Sequence, residues 1–169
     1  SSAHLKIKDD GIIAGIELAQ HIFRHVDPDM EFKEIIADGS PVSYGQIAFE
    51  VRCNARALLQ AERLVLNSMQ RMSGIATLSN RFAFEVEDLP VTILDTRKTT
   101  PLIRFLEKWA VRIGGCTNYR DGLYDWFMVK DNHIDACGGI RPAIERVVAY
   151  KKEKGLEDMG VTIEVRNLV

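Results

Sequence analysis

Arg97 and Lys98 come two residues after a short apolar run, Val91 to Leu94, and Lys130 comes immediately after a second run, Trp126 to Val129. Arg120 lies between the two, and Glu164 sits inside a third run, Val161 to Val165, which is itself followed by Arg166. Arginine grips a carboxylate or phosphate through two parallel N–H donors, whereas lysine adds a point charge on a flexible stem. Cations of both kinds at the ends of apolar runs suit a small ligand with several negative charges, either phosphorylated or multiply carboxylated. Glu164 is suited to a ribose hydroxyl or to a divalent ion such as Mg²⁺, which is commonly held by a carboxylate or two together with substrate phosphate. The competing reading is a set of surface ion pairs, which are common and contribute little. Adjacent cations at the carboxyl end of a strand are poor stability devices, so ligand binding is the preferred reading for Arg97 and Lys98. Asp95, Asp131 and His133 have the chemistry for proton transfer, although hydrogen bonding to loop amides would occupy them equally well.

These residues need strands to carry them. Between the first two runs, Leu102, Phe105, Leu106, Trp109, Ala110 and Ile113 recur at helical spacing, with Pro101 expected in the first turn and Gly114-Gly115 ending the helix. Strand, charged tip, helix, strand is the order of a parallel α/β unit, whose ligands gather at the carboxyl ends of its strands. A further helix carrying Ile140, Ile144, Val147 and Val148 follows Gly138-Gly139, and neither glycine pair matches a phosphate-cradling motif. Upstream, Leu5 and Ile7 alternate with Lys6 and Lys8 as in a strand. Ile16, Ala19, Ile22, Phe23 and Val26 have helical spacing; Phe32 to Ile36 reads as a strand, Asp38-Gly39-Ser40-Pro41 as a turn, and Ile47, Phe49, Val51 and Cys53 alternate again. This β, α, β, β order predicts an α+β layer with an antiparallel sheet. Asn54 is placed to cap a long helical region, with Leu58, Leu59, Val65, Leu66, Met69 and Met72 as its stripe, that runs to about Val86; Arg63 lies among its polar residues. A closed barrel uses about eight strand–helix units and an open doubly wound sheet roughly five strands, against about three here, so a fragment of a longer enzyme is expected.

The 169 residues are 46% hydrophobic, enough for a packed core, and the net charge of −2 lacks the basic excess of a general nucleic-acid or membrane-surface protein. No apolar run approaches the roughly 18 residues that span a bilayer, and a soluble cytoplasmic protein is expected. Cys53, Cys116 and Cys137 are far apart with no metal-ligand spacing and read as free thiols. His21 and His25, four residues apart on a helix, lack a nearby acidic partner among the residues between them and read as a solvated face.

Several blocks together carry a resemblance: Glu62-Arg63, Leu66-Asn67, Gln70-Arg71-x-Ser73-Gly74-Ile75-Ala76-Thr77, Asp95-Thr96-Arg97-Lys98-Thr99-Thr100-Pro101, Glu107-Lys108, Gly114-Gly115, Asn118-Tyr119-Arg120, Leu123-Tyr124-Asp125 and Lys130-Asp131-Asn132-His133. In this order they resemble the quinolinate phosphoribosyltransferase family, over essentially the whole chain. The resemblance implies an α/β fold: an N-terminal α+β sandwich with connecting helices, residues 1–88, followed by an incomplete open α/β barrel, residues 89–169. It implies transfer of phosphoribosyl from phosphoribosyl pyrophosphate to quinolinate with loss of CO₂ and pyrophosphate, giving nicotinate mononucleotide for NAD synthesis, with Mg²⁺. It also implies a homodimer in which Arg63 enters the neighbouring subunit's site. Arg97, Lys98 and Arg120 match the family's carboxylate-binding cations, Lys130 the lysine beside phosphoribosyl pyrophosphate, and Glu164 an acidic residue near its ribose; Lys98, Lys130 and Glu164 are the implied catalytic set. Where the family usually has Asn-His-Arg this chain has Asn118-Tyr119-Arg120, and the phenol of Tyr119 donates a hydrogen bond but is not a cation. The family's later strands are not in this sequence, so full activity is not expected of the fragment itself. Two alternatives are a molybdenum-transport-associated relative of the same fold and a non-catalytic binding module.

Overall fold

The computed structural model describes residues 1–167 and divides into two compact units, Ser1–Tyr119 and Arg120 onward. The first contains β1 (Ser2–Lys6), β2 (Gly11–Ile12), α1 (Ile16–Val26), β3 (Glu31–Glu34), β4 (Pro41–Val42), β5 (Ile47–Arg52), α2 (Ala55–Glu85) and α3 (Arg104–Ile113). β5 lies between β1 and β3, antiparallel to both, and β2 pairs with β4. The alternation of β5 puts Phe49 and Val51 in the core and leaves Glu50 and Arg52 exposed. Phe49 stacks on Phe32 at 4.7 Å and meets Phe23 of α1 edge-on at 6.3 Å, so sheet and helix share one apolar core. Asp38, expected as a turn residue, also caps α1 from a distance: its carboxylate accepts from the amides of Ile16, at 2.9 Å, and Glu17, at 3.2 Å.

The long helix begins as expected, with the Asn54 side chain accepting from the Arg56 amide at 2.9 Å. Its buried stripe is Ala57, Ala61, Val65, Met69, Met72, Ala76 and Ser79, so small residues rather than leucines let other elements approach closely, and Leu59 is 73% exposed. The Ser73 and Thr77 hydroxyls accept from the amides of Ala14 and Ile12, at 3.0 and 2.9 Å, tying the chain around β2 to this helix.

Packing of α3 on α2 explains Gly114. A Cβ there would lie 2.4 Å from the Ala76 carbonyl oxygen and 2.6 Å from Ser79 Cβ, both on α2. Gly114→Ala is therefore expected to destabilise the protein by about 1–3 kcal/mol through overpacking, read as a lower urea midpoint with an unchanged slope. Gly115 supplies the left-handed turn after the helix, at φ +94.

The second unit contains β6 (Phe127–Val129), α4 (Asp131–Cys137), α5 (Ile140–Lys154) and β7 (Val161–Ile163). β6 and β7 are parallel, with Phe127, Met128 and Val129 opposite Val161, Thr162 and Ile163, and both helices lie in the crossover. It joins the second and third apolar runs of the sequence in a parallel α/β unit.

Three local expectations change. The run from Val91 to Leu94 is reduced to one bridge residue, Leu94, paired in parallel with Thr117. Pro101 does not open α3: Leu102 takes φ 68, which no right-handed helix accommodates, and the helix starts at Arg104. Asp131-Asn132-His133 is not a loop but the first turn of α4. Among the described residues no helix is long and apolar enough to cross a membrane.

Candidate functional site

In the first unit the candidate residues sit on the Asp95–Pro101 loop and at its neighbour Asn118-Tyr119. Asp95 is the hub. Its Oδ1 receives the Lys108 ammonium at 2.5 Å and the Tyr119 amide at 2.8 Å. The Asn118 amide nitrogen, in the orientation that satisfies its surroundings, donates to Asp95 Oδ2 at 2.9 Å and to the Lys108 carbonyl at 2.8 Å. The Lys108 side chain is only 3% exposed and that of Asp95 9%. A carboxylate so fully engaged is a structural anchor, which answers the proton-transfer question left open for Asp95.

Glu107 holds the other end of the loop. Its Oε1 receives Nε and Nη2 of Arg71, from α2, at 3.0 and 2.6 Å, and its Oε2 accepts from the Thr100 amide at 3.1 Å. Arg71 Nη2 also donates to Thr100 Oγ1 at 2.8 Å. Burial pushes the Glu107 carboxyl pKa up, but hydrogen bonds from Thr100 and Arg71 and the Arg71 charge outweigh it, leaving it below the usual carboxylate value. A folded-state pKa below the unfolded one contributes stability that is present above the unfolded value and lost as pH falls through the folded one. Stability should therefore fall on acidification below about pH 4, and less steeply in Glu107→Gln, when urea midpoints are measured across that range.

Between these held ends stand the two predicted cations. Lys98 is exposed, and Arg97 is half-buried with a buried Nε that has no hydrogen-bond partner among the described residues. An N–H withdrawn from water without an acceptor costs about 1–3 kcal/mol, the condition an incoming anion would relieve. Arg63 is exposed on α2, facing away from the buried stripe that includes Ala61 and Val65. The Tyr119 carbonyl accepts from Lys108 at 3.4 Å and its amide is held by Asp95, so its backbone is fixed.

In the second unit Lys130 and Glu164 stand just past the ends of the parallel strands β6 and β7, with Lys130 Nζ 3.8 Å from Glu164 Oε2. Lys130 also caps α4: its amide donates to His133 Nδ1 at 2.9 Å, which gives His133 a structural task. Arg166 ties the end of β7 to α4 through Asp135 at 3.1 and 2.7 Å. Arg120 donates to the Trp126 carbonyl at 3.3 Å and lies 3.5 Å from the Met128 sulfur, along the approach to and over β6. Among the described residues no group of three or more His, Cys, Asp or Glu side chains is placed to hold a metal ion, so a protein-built metal cage does not fit them.

The first unit thus places Arg97 and Lys98 on one loop, and the second places Lys130 beside Glu164. Sequence reasoning gave Glu107, Lys108 and Arg71 no role beyond their place in the blocks that carry the resemblance; their anchoring contacts join positions distant in sequence.

An antiparallel α+β layer in the first unit and a parallel strand–helix unit in the second, with Lys130 and Glu164 just past its strand ends, define an α/β protein. The chain belongs to the quinolinate phosphoribosyl transferase family: the N-terminal domain of that family matches residues 1–73 and the C-terminal domain residues 75–169. It is 48% identical over 168 residues to quinolinate phosphoribosyltransferase [decarboxylating] 1 of Nicotiana glauca, covering 99% of this chain and 47% of that protein. It is 49% identical over 166 residues to the chloroplastic nicotinate-nucleotide pyrophosphorylase [carboxylating] of Arabidopsis thaliana, covering 98% and 47%. The crystal structure of NadC from Streptococcus pyogenes superposes with a TM-score of 0.91 at 36% identity, covering 99% of this chain and 59% of that one. The chain therefore spans about half the length of the curated relatives it matches.

Proposed function

We propose that the intact protein is a quinolinate phosphoribosyltransferase: it transfers phosphoribosyl from phosphoribosyl pyrophosphate to quinolinate, with decarboxylation, to give nicotinate mononucleotide, CO₂ and pyrophosphate in NAD synthesis. The observation that carries this reading is the buried Nε of Arg97, without a partner among the described residues, beside Lys98 in a chain of this family. In the proposed reaction the pyridine nitrogen bonds to the ribose carbon as its bond to pyrophosphate breaks, and the electron pair leaves with pyrophosphate. The now cationic ring accepts the electron pair released when the adjacent carboxylate departs as CO₂, and a proton takes its place. Arg97, Lys98 and Arg120 are assigned to the two carboxylates, with Tyr119 as a hydrogen-bond donor. Lys130 is assigned to the phosphoribosyl pyrophosphate and Glu164 to its ribose. Lys98, Lys130 and Glu164 form the proposed catalytic set, because fixed charges around a developing oxocarbenium and a departing pyrophosphate stabilise both ends of the change.

Mg²⁺ is proposed only as an ion carried in by the pyrophosphate, with Glu164 as the candidate protein carboxylate. We divide the chain at residue 88, with a sandwich domain over 1–88 and the first part of a barrel over 89–169. A homodimer is proposed, with Arg63 reaching the neighbouring subunit's site. Support comes from α2, where Leu64, Leu78 and Phe82, at helical spacing, are 59%, 55% and 55% exposed, an apolar face that a second subunit would cover. A cytoplasmic location is proposed on composition.

Titration calorimetry tests the ligand assignment. Quinolinate should bind at least about tenfold more tightly than nicotinate, which lacks one carboxylate and so gives up one charge-assisted contact. Equal affinities, or no uptake of either, would count against it.

A further inference from the structure

Glu107 and Lys108 are consecutive residues of α3, both charged and both buried, at 7% and 3% exposure. Successive side chains leave a helix about 100° apart, and these two reach opposite ends of one short loop. Lys108 takes Asp95, its first residue, at 2.5 Å; Glu107 takes the amide of Thr100, its sixth, at 3.1 Å. Arg71 closes the second grip by binding both Glu107 Oε1 and Thr100 Oγ1. Arg104 Nε holds Thr99 Oγ1 at 3.1 Å, and the Asp95 amide donates to the Thr117 carbonyl at 3.1 Å. The loop is thus fixed at residues 95, 99 and 100, and the residues it presents between them include Arg97 and Lys98.

Stability does not account for this arrangement. Two charges taken out of water are repaid only with good geometry and further hydrogen bonds, and apolar residues of similar volume often serve stability as well or better. What a buried, fully bonded network does supply is a single rigid arrangement. A fork that must meet a planar carboxylate tolerates little displacement, and displacements of an ångström are costly in such sites.

We propose that Glu107 and Lys108 are positioning residues, a two-ended clamp that fixes the Asp95–Thr100 loop and thereby sets the pose in which Arg97 and Lys98 meet the dicarboxylate. The inference rests on the quinolinate assignment above. Neither residue touches the ligand; each acts through the loop. Arg71 completes the clamp from α2, and its half-exposed side chain makes it the gentler point of attack.

The test compares the intact unmodified protein with its Glu107→Gln and Arg71→Lys variants, using amide hydrogen exchange and quinolinate titration on the same samples. Glu107→Gln keeps the side-chain shape and removes the charge that Arg71 binds. Arg71→Lys keeps the charge and removes the fork, and it should fold normally even if the first variant does not. The expected result is exchange at the Thr100 and Lys98 amides faster by about tenfold, with α1 and the first half of α2 unchanged, together with quinolinate affinity weaker by about tenfold. Folded variants with unchanged loop exchange, or with faster loop exchange and unchanged affinity, would overturn the clamp. If the unmodified intact protein takes up no quinolinate, the ligand assignment fails by itself. The exchange data then still judge the loop restraint: faster exchange confined to residues 95–100 supports it, and exchange that is unchanged or raised throughout α2 overturns it.

Discussion

Replacing Lys108 by methionine is expected to destabilise the protein by about 3–5 kcal/mol, the largest stability effect among the residues considered, because it removes one partner of a buried ion pair and leaves the other in place. Methionine fills nearly the same volume, so the loss is not a cavity. Its cause is Asp95, whose side chain is 9% exposed and faces the Lys108 ammonium at 2.5 Å. Without that cation the carboxylate keeps the Tyr119 amide and the Asn118 amide group, which satisfy oxygens but do not neutralise the charge. The double variant Lys108→Met with Asp95→Asn should recover much of the loss, since a buried pair removed as a whole often costs little. Urea unfolding of the two variants measures both values, and equal destabilisation of single and double variants would show that the ion pair is not what the site depends on.

Arg97→Ala should separate binding from stability. Removing a desolvated, hydrogen-bonded charge from one side of a complex costs about 2–5 kcal/mol, so quinolinate affinity is expected to fall by about thirtyfold or more. The fold should lose little, because the residue contributes a buried Nε with no acceptor among the described residues. Arg97→Lys should not restore affinity: lysine keeps the charge but not the planar fork. Calorimetry and thermal unfolding on the same samples decide the matter, and a variant that unfolds early while binding normally would reverse the assignment.

How far the sequence carried this account depended on the kind of signal. Alternation from Ile47 to Cys53 and helical spacing from Ile16 to Val26 were legible because each element buries one face. The stripe of α2 was only partly legible: Val65, Met69 and Met72 are buried as expected, but the rest of the stripe is Ala57, Ala61, Ala76 and Ser79, which a count of large apolar residues passes over. The start of α3 was misplaced because Pro101 fits a first turn in isolation, whereas the positive φ of Leu102 comes from its surroundings. Arg97, Lys98, Lys130 and Glu164 could be picked out because charges interrupt or end apolar runs. The clamp could not, because a charge within an amphipathic helix reads as a solvated face until its partner, distant in sequence, is known. Glu107 and Arg71 are 36 positions apart and only the fold joins them.

The most direct measurement of the central claim is product formation by the intact protein supplied with quinolinate, phosphoribosyl pyrophosphate and Mg²⁺. The account predicts nicotinate mononucleotide, with CO₂ and pyrophosphate released in equal amounts, and loss of that product in Lys98→Ala and Lys130→Ala. An intact, folded protein that consumes no quinolinate under these conditions, or whose turnover survives both substitutions, would contradict it.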